Sequence, residues 1–199
     1  MSEIFTFIDL ETTGLDYETE QIIEIAAVRT DLVREYGRFH TFVTLRDDRE
    51  LSDEITRLTG ISTDELRGGT DLYMAIGALI RFLAGTTVVA HNAPFDLSFV
   101  THRAIVTEDF VCTRALAKLV EPTESASLTN VCARHGIDLT GHHRAMNDVL
   151  ATIEVFRKLA PIAEARGIDY RNVVVSSPER PLTYVPYNAK IVEVPAHST

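Results

Sequence analysis

The chain has 199 residues, enough for one domain with a buried core at roughly 150 residues per domain. With 45% hydrophobic and 24% charged residues it is neither disordered throughout nor collagen-like nor a coiled coil. Its net charge of −10, concentrated in residues 1–67, excludes a broad cationic surface of the kind that grips duplex nucleic acid. Two cysteines without a Cys-x-x-Cys pair exclude a disulfide framework and a thiolate zinc site, and they fit a reducing compartment. No apolar run approaches the roughly 18 residues of a membrane span, so a cytoplasmic protein with no membrane attachment is expected.

In chain order, residues 4–8, 22–28 and 39–45 are β-branched and aromatic-rich, which predicts three consecutive strands with an antiparallel start. The stretch from Asp53 to Leu58 reads as polar connection. Leu72, Ile76, Leu79, Ile80 and Leu83 have helical spacing, and Gly85 stops that helix. The run Val88-Val89-Ala90 predicts a strand, and Pro94 opens the next helix through Val100. A short strand at Phe110–Val111 precedes helices over 114–120 and 128–135, the second ended by Gly136. A long helix begins near Arg144, with Val149, Ile153, Phe156 and Ala160 on one face and Pro161 as a bend or restart. Strands first and then alternating strands and helices imply a mixed α/β sheet flanked by helices. All ten glycines lie at or before Gly167, while four of the seven prolines fall in 178–199. The composition therefore divides a core at 1–167 from a Pro-rich appendage at 168–199.

Three segments carry candidate chemistry. Asp9 and Glu11 stand at i and i+2 just past the first apolar strand, so both side chains project from one face. His91-Asn92-Ala93-Pro94-Phe95-Asp96 again runs from an apolar strand through a polar turn to an acid in the first turn of a helix. His142-His143-Arg144-Ala145-Met146-Asn147-Asp148 places a histidine before the long helix and Asp148 in its second turn, off the apolar stripe. Each acid taken alone reads equally well as a turn former, a helix cap or a solvated side chain. Together they form a set of four acids and one histidine at strand ends and helix starts, where α/β folds collect their sites. A carboxylate cluster without thiolate suits hard divalent cations such as Mg²⁺ or Mn²⁺. Two such ions about 3.5–4 Å apart activate water and stabilise the leaving oxygen of a phosphodiester.

The string Phe7-Ile8-Asp9-Leu10-Glu11-Thr12-Thr13-Gly14-Leu15, then His91 to Asp96, then His143-x4-Asp148, closely resembles the three motifs of the DEDDh exonucleases. That family includes the proofreading epsilon subunit of bacterial replicative polymerases and ribonuclease T. The resemblance covers about residues 4–160 and implies a ribonuclease-H-like fold. It also implies that Asp9, Glu11 and Asp148 hold the catalytic ion, that Asp9, with Asp96 acting through water, serves a second, and that His143 is the general base. By the same resemblance Thr12 and Thr13 meet the 3′-terminal nucleotide through backbone and hydroxyls, Leu15 packs near its base, and His91 and Asn92 flank the site.

The expected activity is removal of nucleoside 5′-monophosphates from 3′ ends of single-stranded DNA in proofreading or repair, with a DNA polymerase as a candidate partner. The same chemistry on RNA 3′ ends and a non-catalytic, polymerase-associated subunit are the alternatives. Arg103, Arg114, Lys118, Arg134 and Arg144 lie in the less acidic middle of the chain and offer a short basic track. His40, His102, His135 and His197 have no spacing that suggests a site and are expected to be structural or exposed.

Overall fold

The computed structural model describes residues 3–46, 49–106, 108–178 and 181–194; His197 lies outside them. A five-stranded sheet has the order β3-β2-β1-β4-β5, built from β1 (Phe5–Thr12), β2 (Ile22–Thr30), β3 (Glu35–Phe42), β4 (Thr87–Ala90) and β5 (Phe110–Cys112). The first three strands pair antiparallel, and β4 and β5 add parallel to β1. This is the mixed α/β sheet expected from the sequence.

Strand alternation decides which helix covers which face. Ile8 and Leu10 of β1 join a core with α3 (Leu72–Leu83) and α4 (Ala93–Thr101), whereas Phe5 and Phe7 point to the opposite face. There they meet α5 (Thr113–Val120), α6 (Leu128–His135) and α7 (Ala145–Ala165), with the Phe5 and Phe7 rings 5.1 and 5.7 Å from that of Phe156. Asp9 and Glu11 continue the Phe5–Phe7 row and so face the start of α7.

Helix ends follow local chemistry. The Asp71 side chain accepts from the Tyr73 and Met74 N–H groups, Pro94 occupies the first turn of α4, and Gly136 closes α6 at φ +63°.

Several expectations change. The first strand runs to Thr12, so Asp9 and Glu11 lie inside it and not past its end. The third strand begins at Glu35 and ends at Phe42, because the β2–β3 hairpin pairs Thr30 with Glu35 across a tight turn at Asp31–Arg34. The polar stretch holds α1 (Asp53–Thr59) and α2 (Thr63–Arg67), capped by Ser52 and by a reciprocal Ser62–Glu65 capping box. The long helix passes through Pro161 without restarting, since one missing ladder bond near its end is outweighed by burial of Leu159, Ala160 and Ala163. Because the helix starts at Ala145, after Arg144 as its N-cap, Asp148 sits in the first helical turn and not the second.

Beyond Gly167 the chain returns to the core. β6 (Val173–Ser176) pairs parallel with β7 (Lys190–Glu193), and Val173, Val174 and Val175 are buried where β6 packs against β5 and α5. Asn172 binds the Phe110 backbone from both its N–H and its side-chain carbonyl. Tyr184 OH lies 2.6 Å from Thr101 Oγ1 and its ring packs against Tyr17.

Residues of the basic track have partners within the chain, and Lys118 is buried. Lys118 Nζ donates to the Pro122 and Glu124 carbonyls, Arg134 binds Ser125 and Glu121, Arg103 binds the Phe99 and Glu20 carbonyls, and Arg144 faces Glu24. Among the described residues no helix is long and apolar enough to cross a membrane.

Candidate metal and nucleotide site

One cleft of about 500 Å³ is lined by all ten residues singled out in the sequence: Asp9, Glu11, Asp96, Asp148, His143, Thr12, Thr13, Leu15, His91 and Asn92. A larger cleft of about 660 Å³, between β3 and α7, is lined by none of them.

The floor is acidic. Carboxylate oxygens of Asp9, Glu11 and Asp148 come within 4.8 Å of one another. Asp9 and Glu11 arrive from successive same-face positions of β1, and Asp148 from the first turn of α7, where it is only 4% exposed. Asp96, buried in the first turn of α4, accepts from the Leu10 N–H at 3.2 Å and is thereby tied to the strand between the two β1 acids.

Burial first, and the neighbouring acids Asp96, Glu11, Asp148 and Glu24 next, hold the Asp9 carboxyl well above the usual carboxylate range. Glu11 is pushed up to about 8 by burial, then by Asp148, Glu24 and Asp96, with Arg144 opposing. Asp96 also rises to about 8 through burial, partly offset by its backbone hydrogen bonds. The cluster holds more negative charge than its surroundings neutralise, and its oxygen donors are those a hard divalent cation takes. The residues therefore fit such an ion.

The two histidines divide their contacts. His142 Nδ1 lies 2.8 Å from each Asp148 oxygen, while His143 reaches the same carboxylate only through its backbone N–H, at 3.3 Å. The rings stack at 3.8 Å, and His143 holds φ +65°. His142, His143 and Asp148 form a second trio able to share an ion. Burial, and then the adjacent His142, lower the His143 pKa, which favours the neutral, proton-accepting ring.

The walls are less polar than the motifs suggest. Thr12 Oγ1 donates to the Gly14 carbonyl, and Thr13 Oγ1 donates to Glu20 and accepts from the Gln21 N–H, so both hydroxyls brace their own turn. His91 has Nδ1 2.9 Å from Thr113 Oγ1 and Nε2 3.0 Å from the Ala126 carbonyl, which leaves its ring edge to shape the wall. Asn92 precedes α4 without using its side chain as a cap.

Leu15 is 84% exposed on the rim, and Ile55 and Leu58 of α1 face the same cleft. Those last two were missed with their helix, although Ser52 followed by Asp53-Glu54 and closed by Gly60 is a readable start and stop signal. Glu24 was missed as well, because it interrupts an apolar strand with no motif around it.

Comparison with known proteins follows the same residues. The exonuclease family profile matches residues 6–156. The PolC-type DNA polymerase III of Bacillus subtilis strain 168 is 30% identical over 203 residues, covering 96% of this chain and 14% of that protein. The DNA polymerase III subunit epsilon of Treponema pallidum is 32% identical over 161 residues, covering 76% and 74%. The chain thus spans about one-eighth of the length of the PolC-type relatives and about three-quarters of the epsilon subunit. Escherichia coli exonuclease I, solved with a dT13 oligonucleotide, superposes with TM-score 0.70 at 20% identity, over 82% of this chain and 43% of that one. That likeness shows the ribonuclease-H-like fold alone. The profile match over three-quarters of the chain, on the segment that holds all four clustered acids, makes this chain a member of the exonuclease family.

Proposed function

We propose that the chain is a metal-dependent 3′–5′ exonuclease that releases nucleoside 5′-monophosphates from 3′ ends of single-stranded DNA. The observation that carries this reading is the convergence of Asp9, Glu11 and Asp148 within 4.8 Å on the cleft floor. The relative named as the epsilon subunit of DNA polymerase III supports a working association with a DNA polymerase. The dT13 complex of the structural neighbour supports the single-stranded substrate.

Asp9, Glu11 and Asp148 would hold one Mg²⁺ or Mn²⁺, and Asp9, with Asp96 through water, a second. Bound there, divalent cations supply Lewis-acid stabilisation of the attacking and leaving oxygens. His143 takes a proton from the attacking water. The water oxygen bonds to the phosphorus of the terminal nucleotide, the bond to the upstream 3′ oxygen breaks, and that oxygen leaves with a proton from solvent. The Thr12–Thr13 backbone, Leu15, Asn92 and the edge of His91 seat the terminal nucleotide, with Ile55 and Leu58 extending the apolar wall beside its base.

The test is cleavage of labelled single-stranded DNA, single-stranded RNA and mismatched duplex ends with Mg²⁺, Mn²⁺ or chelator. Mononucleotide release from DNA 3′ ends that stops with chelator is the expected result. Preferential release from RNA would replace the DNA reading, and metal-independent or 5′-end release would overturn the mechanism.

A further inference from the structure

Glu24 is 1% exposed in the middle of the apolar run of β2. An ionised carboxylate taken out of water costs several kcal/mol unless donors replace its hydration. Its position adds to that cost: Glu24 is the direct cross-strand partner of Glu11, and like charges facing each other across a ladder repel.

The donors come from the start of α7 and from β3. The Ala145 N–H donates to Oε2 at 3.1 Å, Arg144 places Nε and Nη2 at 3.4 Å from Oε2 and Oε1, and His40 Nε2 lies 2.6 Å from Oε1. Arg144, the residue at the N-cap of α7, gives no side-chain cap of its own. Glu24 therefore caps this helix from a neighbouring strand and faces the positive end of its dipole.

That contact is one turn from the reacting groups. The Arg144 carbonyl accepts from the Asn147 and Asp148 N–H groups at 2.8 and 3.2 Å, and His143 immediately precedes it in the left-handed conformation. We propose that Glu24 is a positioning residue: by docking Arg144 and Ala145 onto β2, it sets where Asp148 and His143 stand relative to Asp9 and Glu11. It acts through α7 and touches neither substrate nor reacting atoms. The inference rests on the nuclease reading above.

The test uses the full chain with E24A, E24Q and R144M, and F5L as a core control on the same sheet face. Two readouts are taken: kcat and KM on single-stranded DNA with Mn²⁺, and the imidazole ¹H–¹⁵N signals of His142 and His143 without metal. E24A should lower kcat about 10²-fold, the scale of a misplacement near 1 Å, with KM little changed and both ring signals displaced. E24Q, which keeps an acceptor for the Ala145 N–H but not the charge for Arg144, should fall between wild type and E24A, and R144M should displace the same signals. F5L should lower the melting temperature without moving them. A folded E24A with wild-type kcat and unmoved signals overturns the proposal, as does an F5L that reproduces both changes. Should E24A not fold, E24Q and R144M decide by the same two readouts. A wild-type protein that cleaves nothing would sink the functional reading, while the ring signals would still decide on Glu24.

Discussion

His142 Nδ1 lies 2.8 Å from both carboxylate oxygens of Asp148, although the motif spacing assigns the neighbouring His143 as the base. A ring across both oxygens competes with a cation for the same lone pairs, whereas the His143 ring stacks beside it and makes no side-chain hydrogen bond to the carboxylate. His143→Ala should lower kcat by about 10²–10⁴-fold, the usual scale for loss of a general base. His142→Ala should cost far less in kcat and should lower the Mn²⁺ concentration needed for half-maximal rate. Single-turnover rates across a Mn²⁺ series separate the two, and a reversed order would make His142 the base.

Asp9→Asn, Glu11→Gln and Asp148→Asn should each abolish cleavage while leaving the fold intact. Burial and the neighbouring acids already favour the protonated, neutral form of Asp9 and Glu11, so an amide at either position changes little and the metal-free melting temperature should stay level. Calorimetric melts and a cleavage assay on the same samples check this. Near-wild-type cleavage by Asp9→Asn or Asp148→Asn would remove the metal assignment.

The elevated carboxyls also set a pH dependence. Glu11 and Asp96 titrate near 8 in the folded chain and near the ordinary carboxylate range when unfolded, so between those values the folded state binds more protons. Stability of the metal-free protein should therefore fall as pH rises from about 5 to 9, the reverse of a salt-bridged acid. Metal binding should release protons and strengthen over the same interval. Melting curves with and without Mn²⁺, and titration calorimetry in buffers of different ionisation enthalpy, read both effects. A metal-free melting temperature that rises across this range would contradict the assigned burial.

Deleting residues 168–199 should destabilise the whole domain. Val173, Val174 and Val175 are buried in the core, and each buried apolar side chain of that size contributes about 1.5–3 kcal/mol. The Asn172 bonds to Phe110 and the Glu3–Arg171 ion pair tie the same segment to β5 and to the start of the chain. Circular dichroism melts should show a large drop in midpoint or loss of cooperativity. A truncated chain with an unchanged melt would make the segment a separable appendage.

Binding of a cleavage-dead variant to single-stranded DNA in Ca²⁺ should depend only weakly on salt, with about two to four counterions released. The net charge of −10 opposes phosphate, and the partners that Lys118, Arg134, Arg103 and Arg144 have within the chain leave little of the basic track for it. A slope corresponding to six or more phosphates would reveal a basic surface elsewhere.

Much of the architecture was legible in the linear chain because its signals are local. β-Branched and aromatic richness located β1 and β2, apolar helical spacing and Gly85 indicated α3, and Pro94 and Gly136 marked an opening and a close. The three acidic motifs named Asp9, Glu11, Asp96 and Asp148, since each stands beside an apolar strand or a helix start that the local pattern already indicates, while Glu24 escaped. Helices α1 and α2 escaped because they are short and polar, with capping as their main signal.

What only the tertiary structure decided are relations between distant segments. Glu24 meets Arg144 across 120 positions, and Asp96 reaches Leu10 across 86. The side-chain contact of His142 with Asp148 depends on left-handed turns at Gly141 and His143. The burial of Val173–Val175 depends on a sheet edge and a helix face that earlier segments must first create. Periodicity reports which face of an element is apolar; it carries no record of which other element covers that face, and covering is what places a buried carboxylate beside its donors.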